Sequence, residues 1–209
     1  MSKIHDDPRI DPRIKKVLGN IPVMSRGDVA DREQLLAEVN RPEALAASAK
    51  MAQMLEVFDN EDVAPSAGLA TRTFEFTSQP DDNTVKVQFI RPDSDAVLPC
   101  VYYIHGGGMQ SMSAFYGIYR AWGRIIAQQG VAVAMVDFRN CLTPSSAPEV
   151  APFPAGLNDC VAGLKWLCGA ADALKIDRAH IIVAGESGGG NLTLATGLKL
   201  KHDGDLGLI

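Results

Sequence analysis

The chain has 209 residues, of which 46% are hydrophobic and 22% charged, and its formal net charge is −5. This length and composition can bury one sizeable core, and an acidic balance without any Lys/Arg cluster argues against a nucleic-acid-binding protein. No apolar run is long enough to span a membrane and the N-terminus has no apolar signal region, so we expect a cytoplasmic protein.

Residues 1–65 differ in pattern from the rest of the chain. Helices are predicted over residues 32–40 and 42–59, and Pro42 suits the first turn of the second helix. That helix carries an approximate apolar stripe, formed by Leu45, Met51, Met54, Leu55 and Phe58. Such a stripe is typical of packing, but methionine also suits an adaptable lid over an apolar ligand. The pattern alone leaves both interpretations open.

Strand patterns begin after residue 68. Residues 71–77 and 84–90 alternate apolar and polar side chains on either side of Gln79-Pro80-Asp81-Asp82-Asn83, which predicts an antiparallel hairpin. Short continuous apolar runs follow at 101–104, 131–136 and 181–184. Such runs are typical of strands that are buried on both faces of a parallel sheet.

Helical patterns alternate with these runs, over residues 115–129, 155–174 and 190–201. The alternation predicts an α/β fold, with a mostly parallel sheet, helices on both faces and an antiparallel hairpin at its start. We therefore divide the chain into an N-terminal helical segment, residues 1–65, and an α/β core, residues 66–209. Open sheets of this kind bind ligands at the carboxyl ends of their strands.

The four cysteines are Cys100, Cys141, Cys160 and Cys168. The last two lie about 12 Å apart along a predicted helix, which is beyond the reach of a disulfide. No pair has C-x-x-C spacing, so we expect buried free thiols and no metal site.

A Gly-rich motif, His105-Gly106-Gly107-Gly108, directly follows the apolar run at 101–104. Three glycines let the backbone turn sharply and bring bare N–H groups close to a substrate. Two such groups can stabilise the oxyanion of a tetrahedral intermediate. The alternatives are a flexible turn and a phosphate-binding loop, but neither G-x-G-x-x-G nor G-K-[ST] is present to favour a nucleotide.

A second motif, Gly185-Glu186-Ser187-Gly188-Gly189, lies between the run at 181–184 and the helical pattern at 190–201. A sharp strand-to-helix turn can hold a serine nucleophile above a sheet, and small flanking residues relieve the crowding there. The following helix N-terminus favours developing negative charge, and the Gly188 N–H is a further oxyanion donor. Ser187 is therefore the candidate nucleophile.

Residues 98–200 resemble the hormone-sensitive-lipase-like group of α/β-hydrolases, which includes many bacterial carboxylesterases. The two motifs match that group's oxyanion loop and its nucleophile elbow, usually written G-D-S-A-G. Further matching segments are Asp137-Phe138-Arg139, Ala147-Pro148-Glu149 and Phe153-Pro154-Ala155. Glu186 and Gly188 stand where Asp and Ala are usual, which we expect to be mild changes, and residues 140–146 lengthen a loop near the site.

The resemblance implies an eight-stranded hydrolase core with a cap built partly from N-terminal helices, and so assigns residues 1–65 to that cap. It also implies ester hydrolysis through an acyl-enzyme on Ser187, without a cofactor. Gly106, Gly107, Gly108 and Gly188 would supply oxyanion donors, and His105 would shape their loop.

Each histidine can be tested as the base of a catalytic triad. His202 lies 15 residues beyond Ser187, about 20 Å away along a continuous helix. His180 lies seven residues before Ser187, at the wrong end of the leading strand. His105 lies near the site and is a weak candidate for the base, since the resemblance gives it the role of shaping the oxyanion loop; His5, at the N-terminus, is weaker still. None of these positions suits a base that must contact Ser187.

The carboxylates give no better candidate for the acid. Asp203 and Asp205 share the far helix end with His202, Asp137 resembles a structural motif residue, and Glu186 lies inside the elbow. We interpret each as a satisfied surface or loop carboxylate, so the triad acid and base are not found in this chain. The resemblance places both after two further strands, which predicts a sheet whose final strands are absent. Residues 204–209 are interpreted as the approach to another strand.

The leading hypothesis is therefore a carboxylic ester hydrolase that acts on short- to medium-chain esters of small molecules. One alternative is a non-catalytic, ligand-binding member of the same fold. Another is a chain whose triad is completed by a homo-oligomer, a complementing chain or a missing C-terminal segment.

Overall fold

The computed structural model describes residues 4, 6–18 and 28–209. Its contacts divide the chain into two compact units, Met1–Leu35 and Leu36–Ile209. The first unit contains a short helix, α1 (Pro12–Leu18), that the sequence analysis did not predict. Before and at the start of α1, the repeated Asp-Pro-Arg-Ile forms the same local ion pair twice, Asp7 with Arg9 and Asp11 with Arg13.

Both predicted helices of the N-terminal segment are present. They are α2 (Arg32–Val39) and α3 (Pro42–Glu56), with Pro42 at the first turn of α3. Helix α3 ends three residues earlier than predicted, and a turn follows in which the Asn60 side chain accepts hydrogen bonds from the amides of Asp62 and Val63 at 3.1 and 2.9 Å. The boundary between cap and core at residue 65 stays a prediction.

The sheet has five strands in the order β1-β2-β4-β3-β5. They are β1 (Leu69–Ser78), β2 (Asn83–Pro92), β3 (Leu98–Ile104), β4 (Ala132–Asp137) and β5 (Ile176–Gly185). The predicted hairpin is confirmed, since β1 and β2 are antiparallel, and β2 is also antiparallel to β4. β3 pairs in parallel with both β4 and β5. The predicted α/β fold is therefore confirmed, as a mixed sheet.

Helices cover both faces of this sheet. Helix α4 (Gly117–Ala127) packs on one face, and α5 (Ala155–Gly169), α6 (Ala171–Leu174) and α7 (Gly188–Asp203) pack on the other. Neighbouring side chains of β3 alternate between the two layers, Tyr102 toward the α5 side and Tyr103 toward α4. The helix predicted over 155–174 is divided, because Ala170 has non-helical dihedrals, φ −94° and ψ 3°.

Burial follows the position of each strand in the sheet. Every residue of the inner strand β4 is buried, as predicted. The prediction of burial on both faces is wrong for the edge strand β5, where Ile181 is 6% exposed but Ile182 is 64% exposed, because nothing among the described residues covers that side. Cys100, Cys160 and Cys168 are free and buried as expected, whereas Cys141 is only partly buried.

Two further findings concern the helices. Residues 204–209 do not approach a strand as we expected, because Leu206–Leu208 form a 3-10 turn. In the part of the chain that the structure describes, no helix combines the length and apolar character needed to cross a membrane.

Parallel pairing brings the candidate residues to one edge of the sheet. The Gly-rich motif follows β3, Asp137 ends β4, and Ser187 follows β5. Because the three strands run in the same direction, their carboxyl ends lie together.

Candidate active site

Ser187 lies in a strained turn between β5 and α7. Its dihedrals are φ 52° and ψ −121°, a left-handed region that residues other than glycine rarely adopt. The turn is tight, since a Cβ placed on Gly189 would lie 2.0 Å from the carbonyl oxygen of Ile104. The Ser187 residue is exposed, and its hydroxyl has no hydrogen-bond partner among the described residues. This geometry presents the hydroxyl above the sheet.

The Gly-rich loop, residues 105–110, lies directly against this turn. Gly107 and Gly108 both have positive φ, 99° and 64°. A Cβ on Gly188 would lie 2.8 Å from the backbone nitrogens of Gly108 and Met109. The change from Ala to Gly at position 188 is therefore less mild than expected, because an alanine would require the loop to shift.

The donors proposed for an oxyanion are not equivalent. The Gly106 N–H donates to the Tyr119 hydroxyl at 3.0 Å, so this amide is already occupied and we withdraw it from the proposed donors. The amides of Gly107, Gly108 and Gly188 have no acceptor within the described part of the chain. The proposed set therefore narrows to these three.

His105 is fully buried beneath the Gly-rich loop. Its Nδ1 lies 2.8 Å from the Gly106 carbonyl oxygen, and because a carbonyl only accepts, Nδ1 carries the proton. The ring stacks on Phe138 with centroids 4.3 Å apart. Burial lowers the pKa of His105, against the opposite effect of the Asp137 carboxylate 3.8 Å from Nε2. A buried, neutral imidazole tied to the loop suits the supporting role that the resemblance implies.

Asp137 has both carboxylate oxygens occupied by backbone amides. Oδ1 accepts from Ala114 at 2.7 Å and Oδ2 from Ser146 at 2.8 Å. It thus joins the chain after the Gly-rich loop to the lengthened 140–146 loop. The geometry is that of a structural carboxylate, in keeping with its interpretation from the sequence.

The remaining carboxylates and histidines also have partners or lie elsewhere. Asp203 pairs with Lys199 at 2.6 Å, and Asp205 pairs with Lys165 at 2.6 Å. His180 pairs with Asp177 at 2.7 Å, and His202 is exposed near the end of α7. His5 lies outside the described residues. Among the residues that are described, no histidine hydrogen-bonds to the Ser187 hydroxyl.

An apolar cavity of about 590 Å³ opens beside Ser187. Its walls include Phe58, Val63, Tyr103, Ile118, Trp122 and Ile125. Phe58 and Val63 come from the stretch after α3, and the neighbouring Asp59 forms ion pairs with Arg120 and Arg124 of α4. This arrangement places part of the N-terminal segment over the candidate site, which supports the lid interpretation.

A second cavity, of about 300 Å³, lies on the other side of the Gly-rich loop. The lengthened loop contributes Cys141, whose N–H donates to the Met109 carbonyl at 2.9 Å. Leu192 of α7 and the exposed Phe153 also line it. The lengthened loop therefore contributes one lining residue to this cavity, which the sequence did not reveal.

Sequence reasoning missed the role of Tyr119. Its hydroxyl donates to Glu186 Oε1 at 2.7 Å while it accepts from Gly106, so it contacts both motifs. Tyr119 lies in a helix with an apolar buried face, and its position there is typical of core packing. No sequence signal distinguished it from a core tyrosine.

A family model described as the alpha/beta hydrolase fold matches residues 101–208. The chain belongs to that family. The match begins within β3 and contains both the Gly-rich loop and Ser187.

Named relatives agree with this membership. Carboxylesterase NlhH of Mycobacterium tuberculosis is 38% identical over 98 residues, which cover 46% of this chain and 28% of that protein. The structure of esterase Est22 with p-nitrophenol has a TM-score of 0.91 and 60% identity, covering 99% of this chain and 60% of that one.

A third relative bears on the resemblance itself. Brefeldin A esterase, described as a bacterial homologue of human hormone-sensitive lipase, has a TM-score of 0.74 and 31% identity, covering 99% of this chain and 56% of that one. The resemblance to the hormone-sensitive-lipase-like group is thereby confirmed. This α/β-hydrolase chain spans about three fifths of the length of the esterase structures it matches.

Proposed function

We propose that this α/β-hydrolase is a carboxylic ester hydrolase that acts on short- to medium-chain esters through an acyl-enzyme on Ser187. The observation that carries the proposal is the exposed Ser187 in a left-handed turn, beside three amides that have no acceptor among the described residues. The esterase names of the relatives support the same activity.

In the proposed reaction the Ser187 oxygen attacks the ester carbonyl carbon, and its proton passes to a base. The carbonyl oxygen becomes an oxyanion, which the amides of Gly107, Gly108 and Gly188 would stabilise. Removing one such donor in other serine hydrolases costs about 3–4 kcal/mol of transition-state stabilisation. The C–O bond then breaks, the alcohol leaves with a proton from the base, and water hydrolyses the acyl-enzyme.

The cavity beside Ser187 supports an apolar substituent on the ester. Its walls are mostly aromatic and aliphatic, and burying each CH₂ group there would contribute about 0.8 kcal/mol. A volume of about 590 Å³ accommodates a short or medium chain. We therefore expect kcat/KM to increase from acetate to butyrate esters, mainly through a lower KM.

The test is the hydrolysis of p-nitrophenyl acetate and butyrate by the 209-residue chain. Ser187→Ala should abolish turnover, whereas Ser94→Ala, which changes an exposed serine after β2, should leave it unchanged. A fluorophosphonate should add its mass to Ser187 alone. Turnover or labelling that survives Ser187→Ala would exclude this serine as the nucleophile.

A second candidate function is favoured by one observation: no histidine among the described residues contacts Ser187. The chain would then bind an apolar ligand without hydrolysing an ester, or would need a base from a second copy or another chain. Binding of p-nitrophenol by a folded monomer with no turnover would support the binding function. Turnover that rises with the square of protein concentration would support a base from a second copy.

A further inference from the structure

We propose that Tyr119 and Glu186 are a positioning pair that holds the Gly-rich loop at a fixed distance from the Ser187 turn. This inference rests on the proposed function and adds two residues to it, both of which line the apolar cavity beside Ser187 and neither of which is assigned a step in the reaction. The pair joins elements that are far apart in sequence, since α4 contributes the tyrosine and the elbow contributes the glutamate.

The Tyr119 hydroxyl uses both of its hydrogen-bonding capacities. It accepts the Gly106 N–H at 3.0 Å and donates its own proton to Glu186 Oε1 at 2.7 Å. Burial, followed by the neighbouring Glu186, raises the pKa of Tyr119 far above its ordinary value, so the hydroxyl keeps its proton. A single oxygen atom therefore connects the two motifs.

Two consecutive peptide groups of the loop are held in place, one by Tyr119 and the next by His105. Tyr119 holds the peptide that contains the Gly106 N–H, and His105 Nδ1 holds the next peptide through the Gly106 carbonyl at 2.8 Å. In a trans peptide the N–H points opposite to the carbonyl. The hydrogen bond from His105 to the Gly106 carbonyl therefore points the Gly107 N–H, one of the proposed oxyanion donors, away from the imidazole.

The Glu186 carboxylate lies directly against Gly106. A Cβ on Gly106 would lie 2.0 Å from Glu186 Oε1, so the carboxylate occupies the space that a side chain would need. Glutamate is one methylene longer than the aspartate usual at this position. Its length lets the carboxylate lie against the loop and within reach of Tyr119.

The experiment compares Tyr119→Phe, Glu186→Ala and Glu186→Gln with the unchanged chain. Two quantities are measured, kcat and KM for p-nitrophenyl acetate and the hydrogen-exchange rate of the Gly106 amide in ¹⁵N-glycine-labelled protein. Tyr102→Phe is the matched control, because its hydroxyl is also buried and donates to a backbone carbonyl, that of Cys160, away from the site.

We expect Tyr119→Phe to lower kcat about tenfold with KM within twofold, less than the loss of a whole oxyanion donor, which costs about 10²–10³-fold. The Gly106 amide, without its acceptor, should exchange at least about tenfold faster. Glu186→Ala should lower kcat similarly, and Glu186→Gln should retain most of it, because an amide oxygen still accepts from Tyr119. Tyr102→Phe should change neither quantity at the site.

Three results would overturn the inference. The first is a Gly106 exchange rate in Tyr119→Phe equal to that of the original protein. The second is an unaltered kcat in a Tyr119→Phe protein whose Gly106 exchange has become faster. The third is an equal loss of kcat in Glu186→Gln and Glu186→Ala.

If the original chain has no Ser187-dependent turnover, the proposed function fails for this chain. The amide exchange rates then test the positioning pair by themselves. Faster exchange confined to Gly106–Gly108 would support the pair, and unaltered exchange would overturn it. Should Tyr119→Phe not fold, the exposed Glu186 variants provide the same readouts.

Discussion

Arg139 and Asp159 form a buried two-point ion pair at the end of β4. Arg139 Nε lies 2.9 Å from Asp159 Oδ2, and Nη2 lies 3.0 Å from Oδ1. Asp159 is fully buried, and its Oδ1 also accepts from the Ser78 hydroxyl at 2.7 Å. Helix α5, β4 and the β1–β2 hairpin are thereby tied together by one carboxylate.

This pair predicts a large loss of stability when one partner is removed. Asp159→Asn leaves the buried Arg139 guanidinium with only the more exposed Asp81 carboxylate, 2.7 Å from Nη2, which should cost about 3 kcal/mol of unfolding free energy. Urea denaturation measures the change. Lys199→Ala, which removes an exposed i,i+4 pair with Asp203, should leave stability unchanged within error. Equal effects of the two variants would contradict the prediction.

Because the Ser187 backbone is strained, we predict that the serine needed for the proposed activity lowers the stability of the fold. Relief of the left-handed backbone strain should stabilise the Ser187→Gly protein by about 1–2 kcal/mol. The greater conformational entropy of glycine in the unfolded chain offsets about 0.5–1 kcal/mol of this. Ser187→Gly should therefore be more stable by about 0.5–1 kcal/mol. It should also lose fluorophosphonate labelling. Lys175→Gly is the control at a second positive-φ residue, with φ 54° and ψ 49°. That variant should be stabilised with labelling intact, whereas a less stable Ser187→Gly would show that the turn is not strained.

Much of the fold could be predicted because strand and helix patterns are local. Alternation across residues 71–77 and 84–90 specified the hairpin, and continuous apolar runs specified β3 and β4. Exposure of Ile182 could not be predicted from its own apolar run, because it depends on which elements cover the outer strand and not on the residues beside it. The break at Ala170 is likewise a backbone detail that apolar periodicity does not record.

The candidate site likewise has a part that could be predicted from the sequence and a part that could not. Ser187 and the Gly-rich loop were found because each motif is a continuous segment with its own conformational demands. The Tyr119–Glu186 contact joins residues 67 positions apart, and Arg120 reaches Asp59 across 61 positions. Their side chains meet only through packing of α4 against the sheet and the N-terminal segment, so spacing in the sequence carries no signal of either contact.

The apolar cavity predicts a role for Phe58 in substrate preference, if the proposed esterase activity holds. Phe58→Ala should raise KM for p-nitrophenyl butyrate about three- to tenfold with little effect on acetate, because the two extra CH₂ groups lose about 0.8 kcal/mol each at most. Val57→Ala is the control, since Val57 is 72% exposed and does not line the cavity. Equal effects on both esters would show that Phe58 does not contact the acyl chain.

The attachment of the N-terminal segment to α4 predicts a specific loss of stability in acid. Burial raises the pKa of Asp59, but hydrogen bonds from the Arg120 and Arg124 guanidinium groups outweigh it and hold the pKa below the ordinary value. A carboxyl whose pKa is lowered by folding contributes stability above its unfolded pKa, about 3.9, and loses it as the pH falls through the folded value. Asp59→Asn should therefore be less stable than the unchanged chain by a constant amount above about pH 5, and the difference should shrink below about pH 4. Urea midpoints measured from pH 2.5 to 7 check this, with Asp62→Asn as the exposed control; a difference that is independent of pH would show that the Asp59 charge does not stabilise the fold.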